Sequence, residues 1–326
     1  MKRIYLDQNK WIDLARAVNG TEGGKRFDDL RLVLAAGVAS HGLSLPLSSA
    51  HYIETQNRRE WESRRRHGQV MLAFSQLQTM APADGLLPAE LDRAIVSLFG
   101  AAQSPRPLQV FGSGFAHAFA EDREPWRVPN EQRAGLADPS ALEREANDLL
   151  ERAALLGPTP ELEAAGIPGF DPFSHLRVGE RYAEANEKLR DIRVEEGWNS
   201  GERSMRVARA TAVTDRLPQV EEAFRRAGLS IDVLIDGGQE GMDAFVEAVP
   251  TVLASSELER HRNVASQKPW ERQDLNDIGS LSVAIPYCDI VVTENLWTDA
   301  AERSDLPEKF GTVVISDLAE LTEHIL

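Results

Sequence analysis

The stretch RIYLDQN, residues 3–9, places an acidic side chain directly after a short apolar run. Residues 4–6 have the composition of a buried strand, and Asp7 follows at the end of that strand. A carboxylate at this position has two uses. It can cap the helix that begins near Asn9, or it can help to hold a metal ion. The residues that accompany Asp7 at similar positions elsewhere in the chain distinguish these uses.

The composition is that of a folded protein with a net acidic charge. The 326 residues are 42% hydrophobic and 27% charged, which allows a substantial buried core. The formal net charge of -16, from 36 basic and 52 acidic residues, argues against a broad surface for non-specific binding of nucleic acid. Any contact with nucleic acid is therefore expected to be local. A single cysteine, Cys288, excludes an internal disulfide and a thiolate zinc cluster.

The compartment is predicted from the first residues and from the hydropathy pattern. Asp7, Lys10 and Asp13 interrupt the apolar residues near the N-terminus, so a secretory signal is not expected. No run approaches the roughly 18 apolar residues of a membrane span. We therefore expect a cytoplasmic protein in a reducing compartment, with no membrane-spanning segment.

Both ends of the chain predict strands that alternate with helices. After the first strand, the pattern predicts a helix through Val18, a helix over about 27–40, a strand at 43–47 and a long helix over about 49–78. The last 60 residues predict a helix at 277–286, a strand at 289–293, a helix at 296–304, a strand at 312–316 and a final helix. This alternation is typical of an α/β fold whose parallel sheet has helices on both faces.

The middle of the chain does not continue this alternation. Residues 81–139 are rich in Pro and Gly, the residues that follow have amphipathic helical spacing, and residues 158–173 resemble an exposed connector. We therefore divide the chain into a core and a large, mainly helical insertion that serves as a substrate or partner region. The core is residues 1–60 and 267–326, and the insertion is residues 61–266.

Acidic residues recur where the predicted strands end and helices begin, the edge at which parallel α/β sheets collect functional groups. Asp7 follows the first strand, and Glu54 lies early in the helix after the second. Asp277 opens a helix, and Glu294 and Asn295 follow the next strand. Clustered carboxylates repel one another and ionise together only around a cation. Oxygen ligands without Cys or His favour Mg²⁺ or Mn²⁺, which promotes phosphodiester hydrolysis.

Two segments together resemble the PIN-like nuclease superfamily. They are RIYLDQNKWIDLA at residues 3–15 and NDIGSLSVAIPYCDIVVTEN at residues 276–295. In that family an Asp ends the first strand, a Glu lies in a helix after the second, and an Asp opens the helix before a strand of the form D-hydrophobic-T-x-N/D. Asp7, Glu54 and Asp277 match these positions. The resemblance covers about the first 60 and last 55 residues, and it implies a parallel sheet and a Mg²⁺- or Mn²⁺-dependent ribonuclease.

The resemblance also implies roles for individual residues. The catalytic residues and metal ligands would be Asp7, Glu54 and Asp277. The choices for a further ligand are Glu294, Asn295 and Asp299, and the residues expected to support the ligands are Asn9, Asp274 and Thr293. Each acidic residue also has an ordinary explanation as a helix cap, a partner of the helix dipole or a solvated side chain. The joint pattern is what favours a metal site.

The basic stretch NRREWESRRRH, residues 57–67, follows Glu54 and contains five Arg against two Glu. Part of it can reach a phosphate backbone bound at the metal, and the candidates are Arg58, Arg59 and Arg65. The alternative is a solvated helix face in which these charges form ion pairs with neighbouring residues.

The leading hypothesis is a metal-dependent endoribonuclease, with DNA as the second candidate substrate. The relatives implied by the resemblance include bacterial toxins and RNA-processing enzymes, so the expected partners are RNA, an inhibitor or antitoxin protein, and a second copy of the chain. A HAD-type phosphatase is an alternative, but its nucleophilic Asp is followed two residues later by another Asp, where this chain has Asn9. A third hypothesis is a catalytically weak PIN-like scaffold that binds RNA or protein.

Overall fold

The computed structural model of the protein describes residues 1–165, 174–265 and 268–325. The predicted boundary at residues 266 and 267 and the second half of the predicted connector lie outside the described residues. Within these three ranges, no helix is both long and apolar enough to cross a membrane.

The strands form a central parallel sheet and a smaller antiparallel pair. Their bounds are β1 (Lys2–Leu6), β2 (Leu43–Ser44), β3 (Gln78–Met80), β4 (Phe111–Ser113), β5 (Ile290–Val292) and β6 (Val313–Ile315). The central sheet has the order β2-β1-β5-β6, and each neighbouring pair is parallel. In its register Ile4 lies opposite Ile290, and Leu6 lies opposite Val292. The N-terminal and C-terminal ends of the chain therefore form one sheet, as predicted.

The helices connect and cover these strands. Their bounds are α1 (Gln8–Val18), α2 (Asp28–Ala39), α3 (Ser49–Gln56), α4 (Trp61–Ser75), α5 (Ala83–Phe99), α6 (Gly114–Ala118), α7 (Asn130–Arg133), α8 (Pro139–Leu156), α9 (Pro160–Ala165), α10 (Ser174–Glu195), α11 (Gly201–Thr214), α12 (Leu217–Arg226), α13 (Asp232–Asp236), α14 (Gly238–Glu247), α15 (Pro250–Ala265), α16 (Asp274–Tyr287), α17 (Asn295–Arg303), α18 (Leu306–Phe310) and α19 (Leu321–Ile325). Short 3₁₀ helices lie at Glu22–Phe27 and Leu318–Glu320. The helices and strands predicted for the last 60 residues are all present within a few residues of their expected ends, except that the final helix is divided into a 3₁₀ turn and α19.

Helices bury both faces of the central sheet. Successive strand residues point to opposite faces, so they belong to two different hydrophobic clusters. Tyr5 and Val291 lie in one hydrophobic cluster, which also contains apolar residues of α5, α15 and α16. Ile4 and Ile290 lie in a second cluster, which contains apolar residues of α1, α2 and α4. This arrangement confirms the predicted α/β class with helices on both faces of a parallel sheet.

The long helix predicted over 49–78 is wrong, because α3 ends at Gln56 and α4 begins only at Trp61. Glu60 has extended backbone angles, φ -80° and ψ 112°. The buried Arg64 guanidinium donates to the carbonyl oxygen of Gln56 at 3.2 Å, so a side chain takes a carbonyl at the end of α3. Arg58 lies in the connection between the two helices.

The pair β3 and β4 was not predicted. Gln78 lies opposite Ser113 in antiparallel register, and a single bridge joins Leu47 to Thr79. Strands of three residues are too short to show a clear alternation in the sequence, and β4 lies in the region rich in Pro and Gly.

Helices between residues 61 and 266 pack against the same sheet as the two ends of the chain. Leu87, Val213 and Leu253 belong to the hydrophobic cluster that contains Tyr5 and Val291. The described part of this region therefore shares its core with the sheet. The division into a core and an insertion stays a prediction.

Candidate metal-binding site

Asp7 lies at the carboxyl end of β1 and caps the N-terminus of α1. One of its carboxylate oxygens accepts a hydrogen bond from the backbone N–H of Gln8 at 2.7 Å, and the other accepts from the hydroxyl of Thr293 at 3.0 Å. The second contact exists because Leu6 pairs with Val292, so the residues that follow these two strand ends are neighbours. The cap fixes the direction of the Asp7 carboxylate, and the predicted role of Asp7 as a metal ligand is compatible with this capping contact.

Two further carboxylates are held by side chains from other elements. The amide nitrogen of Asn276 donates to Glu54 at 3.1 Å, which connects α16 to α3. The indole nitrogen of Trp297 donates to Asp277 at 3.1 Å, which connects α17 to α16. Asp277 also lies in the first turn of α16, where the helix dipole favours a negative charge. Each carboxylate therefore has a fixed partner and a defined orientation.

Glu294 is the fourth carboxylate of the site. It is the exposed N-cap residue of α17, directly beyond the end of β5. The side-chain amide of Asn9 donates to its carboxylate, so α1 and the end of β5 are linked at this edge of the sheet. Asn9 and Thr293 thus contact carboxylates of the candidate site, and their role in supporting metal ligands stays a prediction.

The four carboxylates lie in one another's electrostatic field. Burial raises the pKa of Asp7, and the charge of Glu294 adds to the rise. Burial, followed by the charge of Asp7, raises the pKa of Glu54 from 4.5 to about 7. The pKa of Asp277 is raised well above its ordinary value by burial and then by Asp7 and Glu54. Ionising all four groups at neutral pH is therefore costly without a compensating positive charge.

The donor chemistry fits a hard divalent cation, because carboxylate oxygens are the ligands that Mg²⁺ and Mn²⁺ prefer. Across residues 1–165, 174–265 and 268–325, however, no group of three or more His, Cys, Asp or Glu side chains is arranged so that it could hold a metal ion. The carboxylates share an electrostatic field but not a ready coordination sphere.

The other predicted acidic and amide residues have different surroundings. Asp299 forms an exposed ion pair with Arg303 at 3.0 Å, one turn further along α17. Asp274 forms a buried ion pair with Arg262 at 2.9 Å and accepts from the backbone N–H of Glu271 at 2.8 Å. Asp274 therefore anchors the start of α16. Asn295 is exposed at the first position of α17.

The three arginines predicted to contact substrate have different surroundings. Arg58 lies near Glu54, since its charge lowers the pKa of that carboxylate. Arg59 is exposed in the same connection between α3 and α4. Arg65 forms an ion pair with Glu62 at 2.8 Å on the surface of α4, which is the arrangement expected of a solvated helix face.

Three residues that support the site were not predicted. Asn276 and Trp297 hold Glu54 and Asp277 as described above. Lys10 donates to the carbonyl oxygen of Ser316 at 2.6 Å, and its charge lowers the pKa of Asp7. Lys10 and Asn276 lie inside the two segments that carry the resemblance, next to Asn9 and Asp277, and this position is the signal that indicates them. Trp297 has no such signal, because its contact depends on how α17 packs against α16.

We compared the chain with models of protein families, with curated proteins and with solved structures, and found no match in any of the three comparisons.

Proposed function

We propose that this protein is a PIN-like ribonuclease that depends on Mg²⁺ or Mn²⁺. The observation that carries the proposal is the convergence of Asp7, Glu54, Asp277 and Glu294 from four separate elements. Burial and the charges of neighbouring carboxylates raise the pKa values of Asp7, Glu54 and Asp277. Groups placed at such electrostatic cost are typical of functional sites. Their location at the carboxyl edge of a parallel sheet supports the same conclusion.

The residues of the chain would prepare the site for an in-line attack of water on a phosphodiester. Asp7, Glu54 and Asp277 would hold the ion, and Glu294 would be the fourth ligand. A bound divalent ion would polarise a phosphoryl oxygen and lower the pKa of a bound water. Thr293 keeps one Asp7 oxygen oriented by its hydrogen bond of 3.0 Å, so less rearrangement is needed when substrate binds.

RNA is the proposed substrate, with DNA as the alternative. The net charge of -16 requires that contacts with the phosphate backbone be local, and Arg58 beside Glu54 supplies one positive charge at the site. The proposed setting is the cytoplasm, as a bacterial toxin or defence effector controlled by an inhibitor or antitoxin protein. A homodimer is the proposed assembly.

The test is cleavage of a labelled single-stranded RNA, and of DNA with the same sequence, in Mn²⁺ buffer. Asp7→Asn and Asp277→Asn are expected to lower the cleavage rate by at least about 100-fold, since each removes a ligand charge. Asp299→Asn is the matched control, because this residue lies on the exposed side of α17 in an ion pair with Arg303. Ligand variants that cut RNA as fast as the parent protein would refute the proposal.

A non-catalytic scaffold is the second candidate. The observation that favours it is that the described part of the chain contains no group of three or more potential ligands arranged to hold a metal ion. Calorimetry separates the two functions: micromolar or tighter Mn²⁺ binding that is lost in Asp277→Asn supports the nuclease. Absence of Mn²⁺ binding together with tight binding of RNA or a partner protein supports the scaffold. A trapped aspartyl-phosphate on Asp7 would instead support the phosphatase hypothesis.

A further inference from the structure

A polar cavity lies between the C-terminal end of α1 and the first turns of α4. Its volume is about 250 Å³, and its lining includes the arginines at positions 16, 58 and 66, together with Ser63 and His67. None of the described residues that line it is acidic. We call this cavity the arginine pocket. In a chain with a net charge of -16, a cavity lined by three guanidinium groups is a local exception.

The positive charges of the arginine pocket are only partly compensated. Arg16 forms an exposed ion pair with Asp13 at 3.1 Å. Neither Arg58 nor Arg66 forms an ion pair within 4.0 Å with any residue that the structure describes. Burial lowers the pKa of Arg58, and the neighbouring charge of Arg16 lowers it further. Guanidinium groups in this arrangement are stabilised when an anion lies between them.

The position of the pocket relates it to the carboxylates. Arg58 belongs to the connection that follows α3, and its charge acts on Glu54. The arginine pocket and the candidate metal site are therefore neighbours, with Arg58 between them. A volume of about 250 Å³ is below the usual range of roughly 300–1,000 Å³ for sites that enclose whole ligands. It suits one phosphate group with part of its sugar.

We propose that the arginine pocket binds a backbone phosphate of the RNA strand, next to the phosphodiester held at the carboxylates. This inference rests on the proposed function and adds Arg16 and Arg66 to the substrate-binding residues. The negatively charged carboxylates and the positively charged arginine pocket would lie on either side of Arg58. Together they would fix the direction in which the RNA strand crosses the protein. Arg64, although close in sequence, is excluded because it is buried and paired with Glu163 at 3.1 Å.

The experiment measures binding of a short single-stranded RNA by fluorescence anisotropy as a function of salt. All proteins carry Asp277→Asn, so that cleavage does not consume the probe. Adding Arg66→Ala or Arg16→Ala is expected to weaken binding about tenfold, the effect of losing one charge-assisted hydrogen bond. Each should also reduce the slope of log affinity against log salt by about 0.7, the value for one phosphate contact on a single strand.

Arg65→Ala is the matched control. It removes the same type of side chain one residue away on α4, but its guanidinium is paired with Glu62 at 2.8 Å. We expect this variant to keep the parent affinity and salt slope. Equal losses for Arg65→Ala and Arg66→Ala would overturn the inference, because they would indicate a diffuse charge effect. Unchanged binding in Arg66→Ala and Arg16→Ala would overturn it as well.

Two further arms identify the ligand and separate this inference from the nuclease proposal. If polyglutamate peptide displaces the labelled RNA as well as unlabelled RNA does, the assignment to a nucleic-acid backbone is overturned. Displacement by inorganic phosphate only at much higher concentration supports the assignment. If the parent protein cleaves RNA but Arg66→Ala binds normally, the pocket assignment fails and the nuclease stands. If binding depends on Arg66 but no parent cleavage occurs, the nuclease fails and the pocket stands.

Discussion

The cost of ionising Glu54 leads to a quantitative prediction about stability without metal. Burial and the charge of Asp7 raise the pKa of Glu54 from 4.5 to about 7 in the folded protein. This difference corresponds to about 3 kcal/mol of lost stability once Glu54 is ionised in both states. Glu54 is partly exposed, so screening by water reduces the expected cost to about 1–2 kcal/mol.

Glu54→Gln removes the charge but keeps the carbonyl oxygen that accepts from Asn276. Because the folded pKa is raised, the cost is absent below pH 4.5, grows between 4.5 and about 7, and is full above that range. In EDTA at pH 8, Glu54→Gln should therefore raise the free energy of unfolding by about 1–2 kcal/mol. The gain should shrink towards zero as the pH falls to 4.5.

The assay is urea denaturation at several pH values, with and without Mn²⁺. Saturating Mn²⁺ should reverse the order of stability, because metal at 100 times its dissociation constant adds about 2.7 kcal/mol to the protein that binds it. Asp299→Asn should behave like the parent protein, since its side chain is exposed and outside the carboxylate group. A Glu54→Gln protein that is less stable than the parent at pH 8 in EDTA would refute this reasoning, as would a gain independent of pH.

Three other changes have defined outcomes. Thr293→Val removes the hydroxyl that donates to Asp7 at 3.0 Å, so calorimetry should show Mn²⁺ affinity lowered by about 10-fold or more with little change in secondary structure by circular dichroism. For the fully buried Asp92, burial alone would raise the pKa, but hydrogen bonds and charge from Arg106 outweigh it and lower the pKa from 3.8 to about 2. The stability supplied by this ionised carboxylate is full above about pH 4 and is lost as the pH falls towards 2. Asp92→Asn should therefore lower the free energy of unfolding by about 2 kcal/mol at pH 7. In urea denaturation at several pH values, the variant should lose less stability than the parent protein as the pH falls. Gly279 lies inside α16, and a Cβ atom there would meet no atom within 4 Å beyond the adjoining residues and backbone of its own helix. Gly279→Ala should therefore raise stability by about 1 kcal/mol in the same denaturation assay, and a loss of stability would contradict the open space beside this helix.

The class of fold could be predicted from the sequence because apolar runs and helical periodicity are local properties. Residues 4–6 and 290–292 are short apolar runs flanked by polar residues, and they form adjacent parallel strands of the central sheet. The helices beside them carry long periodic patterns, so their ends were expected within a few residues. The break between α3 and α4 was missed because residues 57–60 contain no Gly or Pro to mark it, and the contact of the buried Arg64 guanidinium with the carbonyl of Gln56 is visible only in the structure.

The candidate site was predictable only in part. The types of residue and their places at strand ends indicated Asp7, Glu54 and Asp277, but the choice among further acidic residues could not be made from spacing. The tertiary structure gives Glu294 a place in the electrostatic field of the other carboxylates, whereas Asp299 pairs with Arg303 one turn along its own helix. The orientation of a side chain at a helix start depends on the elements that pack around it.

The sequence by itself determined the strands and most of the helices at the two ends of the chain, since burial and backbone hydrogen bonding select local patterns of apolar and polar residues. Only the tertiary structure decided which charges meet. Thr293 and Asp7 are 286 positions apart in the chain yet share a hydrogen bond, because β1 and β5 are adjacent. Coulomb forces and hydrogen bonds depend on distance in space, and that distance is set by the packing of the sheet.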